Sequence, residues 1–289
     1  MLEEGSGAPG GTSVLLDAAT GAREERAFLG AGPERIFSTM HLPPGDAVGG
    51  LVVCSPLHNE FLKHYRREVL LSRHLAGHGV AVSRFHYRGT GNSDGDEADM
   101  TFDRMCEDAK AAASSLLAFI GPKPLAFLGT RFGALVAAAA GAGPLVLWEP
   151  VVEPKRYFRE AFRIRRMSDV ASGKPADDSL DPRRDLETEG HVEVLGAAFH
   201  RRLYESSLDH SLADLVPAGT PVLILRFGAP DRAQLQQVLE AKGAAAETRF
   251  VAEHESWWFF DGWRPASPAL STLIDLTREW LIRAMAGRG

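Results

Sequence analysis

Residues 124–138 read Pro-Leu-Ala-Phe-Leu-Gly-Thr-Arg-Phe-Gly-Ala-Leu-Val-Ala-Ala. The apolar start of this stretch is typical of a buried strand, and its Ala-rich end is typical of a helix. Gly129 and Gly133 bracket the turn between them, where side chains would clash because strand and helix approach closely. We therefore predict a strand, a sharp turn and a helix, with Arg131 at the apex of the turn.

Apolar runs and helical patterns alternate along most of the chain. Uninterrupted apolar runs fit strands that are buried on both faces. The alternation predicts an α/β fold with a doubly wound, mostly parallel sheet covered on both faces. The predicted strands are 14–17, 26–29, 35–40, 50–54, 79–83, 125–128, 145–148, 221–226 and 248–252, and the predicted helices are 61–78, 102–120, 133–143, 233–242 and 267–285.

The alternation stops between residues 154 and 217. This segment combines an Arg-rich helical pattern, a polar Pro/Asp/Gly loop and an apolar pattern at 192–203 that we interpret as a helix. Insertions that carry their own helices usually cover a site. We therefore predict a helical lid at 154–217, a core formed by 14–153 and 218–289, and a flexible leader at 1–13.

Two further motifs precede the turn. Residues 88–95 read Arg-Gly-Thr-Gly-Asn-Ser-Asp-Gly, and residues 51–58 read Leu-Val-Val-Cys-Ser-Pro-Leu-His and are followed by Tyr65-Arg-Arg-Glu68. Their order resembles that of the α/β-hydrolase superfamily, in its serine aminopeptidase-like and exosortase-system-associated branches. Gly129 to Gly133 resembles the nucleophile elbow G-x-S-x-G of that superfamily. The elbow is degenerate, because Arg131 stands where the resemblance places the catalytic serine.

The resemblance also implies the remaining site residues. Asp231 follows the strand 221–226 and takes the place of the triad acid, and His254 follows the strand 248–252 and takes the place of the base. The oxyanion-hole donors would be the backbone N–H groups of Phe132 and of a residue near Leu57. His86 stands where the family often has Asp, and we expect this difference to affect only local structure.

Arg131 removes ordinary serine chemistry from the elbow. A guanidinium stays protonated at neutral pH and cannot be a nucleophile. Shifting the register would make Thr130 the nucleophile but would break the glycine bracket. Two roles for Arg131 stay open: binding an anionic ligand beside a helix N-terminus, or an internal salt bridge to Asp231 or Glu149 that plugs the pocket.

The other candidate residues have simpler interpretations. Cys54 lies inside a predicted buried strand and is expected to be core, and Ser93 is expected to shape its loop. Trp257 and Trp258 are expected to pack against the lid or to line an apolar pocket. A further three residues, Arg163, Arg165 and Arg166, are expected to form a solvated helical face that could also bind an anionic group.

Composition excludes several functions. The net charge of −6 gives no field that would attract nucleic acid. The two cysteines are too few for a disulfide scaffold or a structural zinc site, and we expect no metal and no other cofactor. The first residues lack the pattern of a signal peptide, and the apolar runs are too short to span a membrane. We expect a cytoplasmic protein, and high Ala, Gly and Arg usage suggests a bacterial source.

Three functional classes remain. The first is a pseudoenzyme, a non-catalytic binding or accessory protein that keeps its pocket for a small anionic or acyl ligand. The second is an active esterase or thioesterase of non-standard mechanism. There His254 and Asp231 would activate water, and Arg131 would bind an anionic or carbonyl group of the substrate. The third is a scaffold that binds a protein partner through the lid.

Overall fold

The computed structural model describes residues 13–173, 181–227, 234–252 and 268–287. Within these ranges the strands are β1 (Ser13–Leu16), β2 (Arg23–Leu29), β3 (Ile36–Leu42), β4 (Gly49–Cys54), β5 (Val80–Phe85), β6 (Leu125–Thr130), β7 (Leu145–Trp148), β8 (His191–Val194), β9 (Ala197–His200), β10 (Pro221–Phe227) and β11 (Ala245–Val251). A short 3₁₀ helix spans Glu97–Asp99.

The α-helices in the same ranges are α1 (His58–Gly77), α2 (Phe102–Ile120), α3 (Gly133–Ala140), α4 (Pro154–Ala171), α5 (Pro182–Thr188), α6 (Arg201–Ser207), α7 (Leu212–Leu215), α8 (Gln234–Ala241) and α9 (Pro268–Ala286). Not one of these helices combines the length and the apolar character that crossing a membrane would need.

In the described part of the chain, the central sheet contains nine strands in the order β1-β2-β3-β5-β4-β6-β7-β10-β11. The pairs β1–β2, β2–β3 and β3–β5 are antiparallel. Every pair from β5 to β11 along this order is parallel. The predicted doubly wound, mostly parallel sheet is confirmed.

Both faces of the sheet are covered because its central strands are apolar on both sides. In β4, Leu51 and Val53 belong to one apolar cluster, together with residues of α1 and α9. The alternate residues Val52 and Cys54 belong to the other cluster, together with residues of α2, α3 and α8. The apolar runs of the sequence therefore predicted these strands correctly.

The interpretation of residues 192–203 as a helix is wrong. The structure has the antiparallel pair β8–β9 there, followed by α6. Val192 and Val194 are buried while Glu193 is exposed, which is the period of a strand. The turn between the strands has Leu195 at φ 50° and Gly196 at φ 79°. Two consecutive residues with positive φ are what a two-residue hairpin turn requires.

The segment between β7 and β10 occupies the place of the predicted lid, but it is not purely helical. It contains α4, α5, the β8–β9 hairpin, α6 and α7. The hairpin contacts the start of α1, where the Asn59 side chain donates to the Leu195 carbonyl at 2.8 Å. The backbone N–H of Phe102, at the start of α2, donates to Ser206 Oγ at 3.0 Å. Residues 1–12 of the predicted leader lie outside the described residues.

Candidate functional site

The elbow has the strained geometry that the glycine bracket predicts. Strand β6 ends at Thr130, helix α3 begins at Gly133, and Arg131 between them has φ 51°, in the left-handed region. A Cβ on Gly129 would lie 2.4 Å from Ala134 Cα. A Cβ on Gly133 would lie 2.1 Å from the Cys54 carbonyl oxygen. Both positions therefore need glycine, and the turn is as sharp as predicted.

Backbone hydrogen bonds fix Arg131 at the carboxyl edge of the sheet. Its N–H donates to the Trp148 carbonyl at 3.0 Å, and its carbonyl accepts from the Val151 N–H at 3.1 Å. Trp148 is the last residue of β7, the strand next to β6. In parallel α/β sheets this edge is where ligands bind.

The Arg131 side chain turns into the protein, and the whole residue is 9% exposed. Its Nε–H donates to Glu60 Oε1 at 3.1 Å, and its Nη1 donates to the Glu149 carbonyl at 3.3 Å. Tyr157 of α4 donates its hydroxyl to Glu60 Oε2 at 3.5 Å. The guanidinium carbon lies 6.0 Å from the centre of the Tyr157 ring. Glu60 thus joins the elbow, α1 and α4.

Electrostatics keeps this group in its charged form. Burial lowers the pKa of Arg131, but the Glu60 carboxylate, with smaller contributions from Tyr157 and Glu149, raises it more, so the net shift is upward. Burial, followed by the charge of Glu60, raises the pKa of Tyr157 well above its ordinary value. Arg131 is therefore a permanent cation, and Tyr157 stays a protonated donor at neutral pH.

Of the two partners considered for a salt bridge of Arg131, Asp231 lies outside the described residues, and Glu149 accepts a hydrogen bond from Arg131 through its backbone carbonyl oxygen. The structure shows an ion pair of Arg131 with the Glu60 carboxylate, which was not predicted. The Glu149 carboxylate instead accepts the backbone N–H of Phe227 and pairs with Arg226 at 3.4 Å. Glu149 has φ 42° at the end of β7, and its carboxylate faces β10. Glu60 carries no sequence signal that would have identified it.

The predicted oxyanion donors lie in segments that touch each other. Phe132 is fully buried, and Leu57 is 3% exposed and caps α1 in an extended conformation. The loop before Leu57 packs on the elbow, since a Cβ on Gly133 would lie 2.6 Å from the Ser55 carbonyl oxygen. Convergence of the Phe132 and Leu57 N–H groups on one oxyanion stays a prediction.

A buried acid supports the same loop from behind. Ser55 donates its hydroxyl to Glu68 Oε2 at 2.8 Å, and the Tyr87 hydroxyl donates to the Ser55 carbonyl at 3.3 Å. Glu68 is 1% exposed. Burial raises the pKa of Glu68 to about 7, against the opposing effects of the Ser55 hydrogen bond and the Arg84 charge. The motif Tyr65-Arg-Arg-Glu68 contained Glu68, but the burial of this acid was not predicted from the sequence.

A cavity of about 540 Å³ opens beside Arg131, bounded by described residues of the β7–α4 segment, β10 and α8. Its apolar wall comes from Pro150, Val151, Val152, Leu235 and Val238. The charged residues around it are Arg131, Glu149, Glu153, Arg156, Glu160 and Arg226, and Tyr157 and Gln234 complete the lining. Within the described part of the chain, no group of three His, Cys, Asp or Glu residues could hold a metal ion.

Four predicted site residues cannot be placed. Asp231, His254, Trp257 and Trp258 lie outside the described residues. The proposed acid and base of the triad and the proposed aromatic pocket therefore stay predictions.

The secondary candidates have structural roles in the described region. Cys54 is fully buried, and burial raises the pKa of its thiol well above the ordinary value. Ser93 donates to the His86 carbonyl at 2.6 Å and accepts from the Phe37 N–H at 2.9 Å, so it shapes its loop as expected. His86 Nδ1 accepts the Asn92 N–H at 2.9 Å, which is the local effect expected of it.

The three arginines of α4 do not form one solvated face. Arg163 and Arg166 are exposed, as expected. Arg165 instead pairs with Asp169 at 2.6 Å and donates to the Glu193 carbonyl of β8 at 2.6 Å. Arg165 thus holds the hairpin against α4. The interpretation of Arg165 as a solvated residue was wrong because the packing of β8 on α4 was not predicted.

Solved structures with the same arrangement of strands and helices are known. Est1E from Butyrivibrio proteoclasticus is 13% identical to this chain. The alignment covers 90% of this chain and 99% of Est1E, with a TM-score of 0.61. The mouse α/β-hydrolase domain-containing protein 10 is 14% identical, with coverages of 89% and 98% and a TM-score of 0.59.

A lidless α/β serine hydrolase from Xanthomonas campestris is 18% identical, with coverages of 91% and 95% and a TM-score of 0.52. No protein-family model and no curated protein sequence matches the chain. At these identities the structural similarity establishes the fold and leaves the chemistry to the site itself.

Proposed function

Because the chain has the α/β-hydrolase fold, we propose that it is a non-catalytic binding or accessory protein that keeps the pocket of this fold and lacks the serine nucleophile. One observation carries the proposal: the apex residue of the elbow is Arg131, and its guanidinium is ion-paired with Glu60. A buried, charged and paired guanidinium offers no nucleophilic atom at neutral pH. In this proposal the chain keeps the α/β-hydrolase fold but does not carry out hydrolysis through a serine nucleophile.

The neighbouring hydroxyl supports the same conclusion. Thr130 is fully buried, and its Oγ1 has no hydrogen-bond partner among the described residues. A threonine nucleophile needs a base within hydrogen-bond distance, and none of the described side chains offers one. Thr130 also belongs to β6 and not to the apex of the turn. It does not replace the missing serine.

The cavity supports binding. Its volume of about 540 Å³ falls in the range of small-molecule sites, and it combines an aliphatic wall with a few charged groups. Most of its carboxylates have cationic partners, since Glu149 pairs with Arg226 and Glu160 with Arg156. The site thus has the composition of a pocket that orients a small molecule.

Covalent labelling tests the loss of the nucleophile. The purified chain is incubated with a fluorophosphonate and its intact mass is recorded, with an active serine esterase as the positive control. We expect the esterase to gain one adduct and this chain to gain none. An adduct that peptide mapping places on residues 129–133 would overturn the proposal.

A second candidate function is an active esterase or thioesterase in which His254 and Asp231 activate water. One observation favours it: Arg131 lines the cavity, next to the predicted oxyanion donor Phe132, where a cation would polarise a carbonyl. The ion pair with Glu60 weighs against it, because a neutralised guanidinium stabilises less developing charge. Fluorophosphonate labelling does not detect this mechanism, and ester hydrolysis does.

A further inference from the structure

We propose that Arg131 and Tyr157 form a carboxylate-binding site that the chain fills with its own Glu60. In this proposal the ligand of the pocket is a small monocarboxylate with a short aliphatic body, and it takes the place of Glu60. The inference rests on the proposed binding function and names the ligand class of that site.

Two buried donors converge on one carboxylate. The Arg131 Nε–H reaches Oε1 of Glu60 at 3.1 Å, and the Tyr157 hydroxyl reaches Oε2 at 3.5 Å. Arg131 and Tyr157 are 9% and 8% exposed, so both donors are largely removed from water. Each donor forms a hydrogen bond with a different oxygen of the same carboxylate. This is the arrangement by which proteins hold the carboxylate of a ligand.

Glu60 is placed so that it can leave. It lies in the first turn of α1, and its side chain is 14% exposed. An acidic side chain at a helix N-terminus is also favourable when it points to solvent, because it interacts with the helix dipole. Turning outward therefore costs Glu60 mainly its two contacts with Arg131 and Tyr157, and an incoming carboxylate makes the same two contacts.

The lining of the cavity indicates the apolar part and the charge of the ligand. Arg131 and Tyr157 both line it, and its apolar wall is aliphatic. A carboxylate held by these two donors would leave its hydrocarbon part against Val151, Val152 and Leu235. In the same cavity, Arg226 compensates the charge of Glu149, and Arg156 compensates that of Glu160. The carboxylate of Glu153 disfavours a second negative charge on the ligand. A monoanion therefore suits the pocket better than a phosphate does.

Chemical rescue tests the proposed carboxylate-binding site of Arg131 and Tyr157. Glu60→Ala removes the internal carboxylate, and added propionate should restore it. We expect propionate at ten times its Kd to raise the Tm of Glu60→Ala by about 2 °C. The neutral isostere propionamide should have no such effect, and neither should propionate on Glu60→Ala/Arg131→Met. Absence of rescue, or rescue that persists in the double variant, would overturn the proposal.

A second experiment tests whether Glu60 competes with the ligand in the intact chain. It can be carried out even if Glu60→Ala does not fold. Glu60→Gln keeps the size of the side chain and removes its charge. Hexanoate titrated in a calorimeter should bind Glu60→Gln about tenfold more tightly than wild type, since no internal carboxylate competes. Equal affinities would contradict the proposal. The fluorophosphonate result is independent of both experiments, so failure here leaves the loss of the nucleophile standing.

Discussion

Arg131 and Glu60 form an ion pair of 3.1 Å that joins the apex of the elbow to the first turn of α1. Their side chains are 11% and 14% exposed, so the pair is mostly desolvated. In a serine hydrolase the residue at this apex presents its reactive atom to the substrate. Here the side chain of the apex residue, Arg131, is paired with a carboxylate of the same chain. The pair accounts for how an arginine can occupy a buried, strained position of this fold.

Breaking the pair should destabilise the chain. Glu60→Gln leaves the buried Arg131 guanidinium without this carboxylate, and we expect the free energy of unfolding to fall by about 2–4 kcal/mol. Arg131→Met in the same background should recover about 1–2 kcal/mol of that loss, because the buried cation is then absent as well. Urea unfolding of the two single variants and the double variant measures the coupling. Strictly additive losses would show that the ion pair does not contribute.

The glycine bracket makes a separate prediction about packing. Gly133→Ala would place a Cβ 2.1 Å from the Cys54 carbonyl oxygen, and the backbone on both sides would have to move. We expect a loss of about 3–5 kcal/mol, or failure to fold. Gly45→Ala is the matched control, because nothing lies within 4 Å of a Cβ at that position. Similar melting temperatures for the two variants would contradict the described elbow.

Glu68 should make stability fall with rising pH. Its pKa is about 7 in the folded chain, whereas the ordinary pKa of a glutamate is 4.5. Between these values the folded chain holds a proton that the unfolded chain has lost, so stability decreases as pH rises through this window. The loss is complete about one pH unit above the folded pKa and should be on the order of 3 kcal/mol.

The measurement compares the free energy of unfolding at pH 5 and pH 8 in wild type and in Glu68→Gln. The variant should lose less stability than wild type over this range, because it has no proton to release. Glu205→Gln, on the exposed side of α6, serves as the control and should follow wild type. A pH dependence of Glu68→Gln identical to that of wild type would show that Glu68 does not titrate in this window.

The hairpin turn of β8–β9 predicts a stabilising substitution. Leu195 has φ 50° and is 51% exposed, so its backbone is strained and its side chain gains little from burial. Leu195→Asn should raise stability by about 0.5–1 kcal/mol, since Asn tolerates this conformation. Leu62→Asn, on the exposed face of α1, should instead lower stability by a few tenths of a kcal/mol. Thermal melts distinguish the two signs.

The sequence predicted the parts of the fold that depend on local pattern. The buried strands follow from apolar runs, and the elbow follows from Gly129 and Gly133, because both features are properties of short segments. The ion pair of Arg131 could not be predicted in this way. Glu60 is 71 residues away along the chain, and the contact depends on how α1 packs across the elbow.

Two other differences have identifiable causes. The alternation Val192-Glu193-Val194 is the signal of a strand, but it is short, and the turn has Leu195 where Asn or Gly would have marked a hairpin. Glu68 shares a helix face with Leu71, Ser72 and Leu75, all of which are buried. Helical spacing from these leucines was therefore a signal that could have identified Glu68 as a buried acid.

Ester hydrolysis tests most directly whether this chain binds or hydrolyses. The rates on p-nitrophenyl acetate and butyrate are measured for wild type and for His254→Ala, the variant that removes the only base that the resemblance implies. If the chain is a non-catalytic binding protein, we expect both rates to equal the background rate of buffer with an unrelated protein. A wild-type rate well above that background, lost in His254→Ala, would show that the pocket is an active site and would contradict the account.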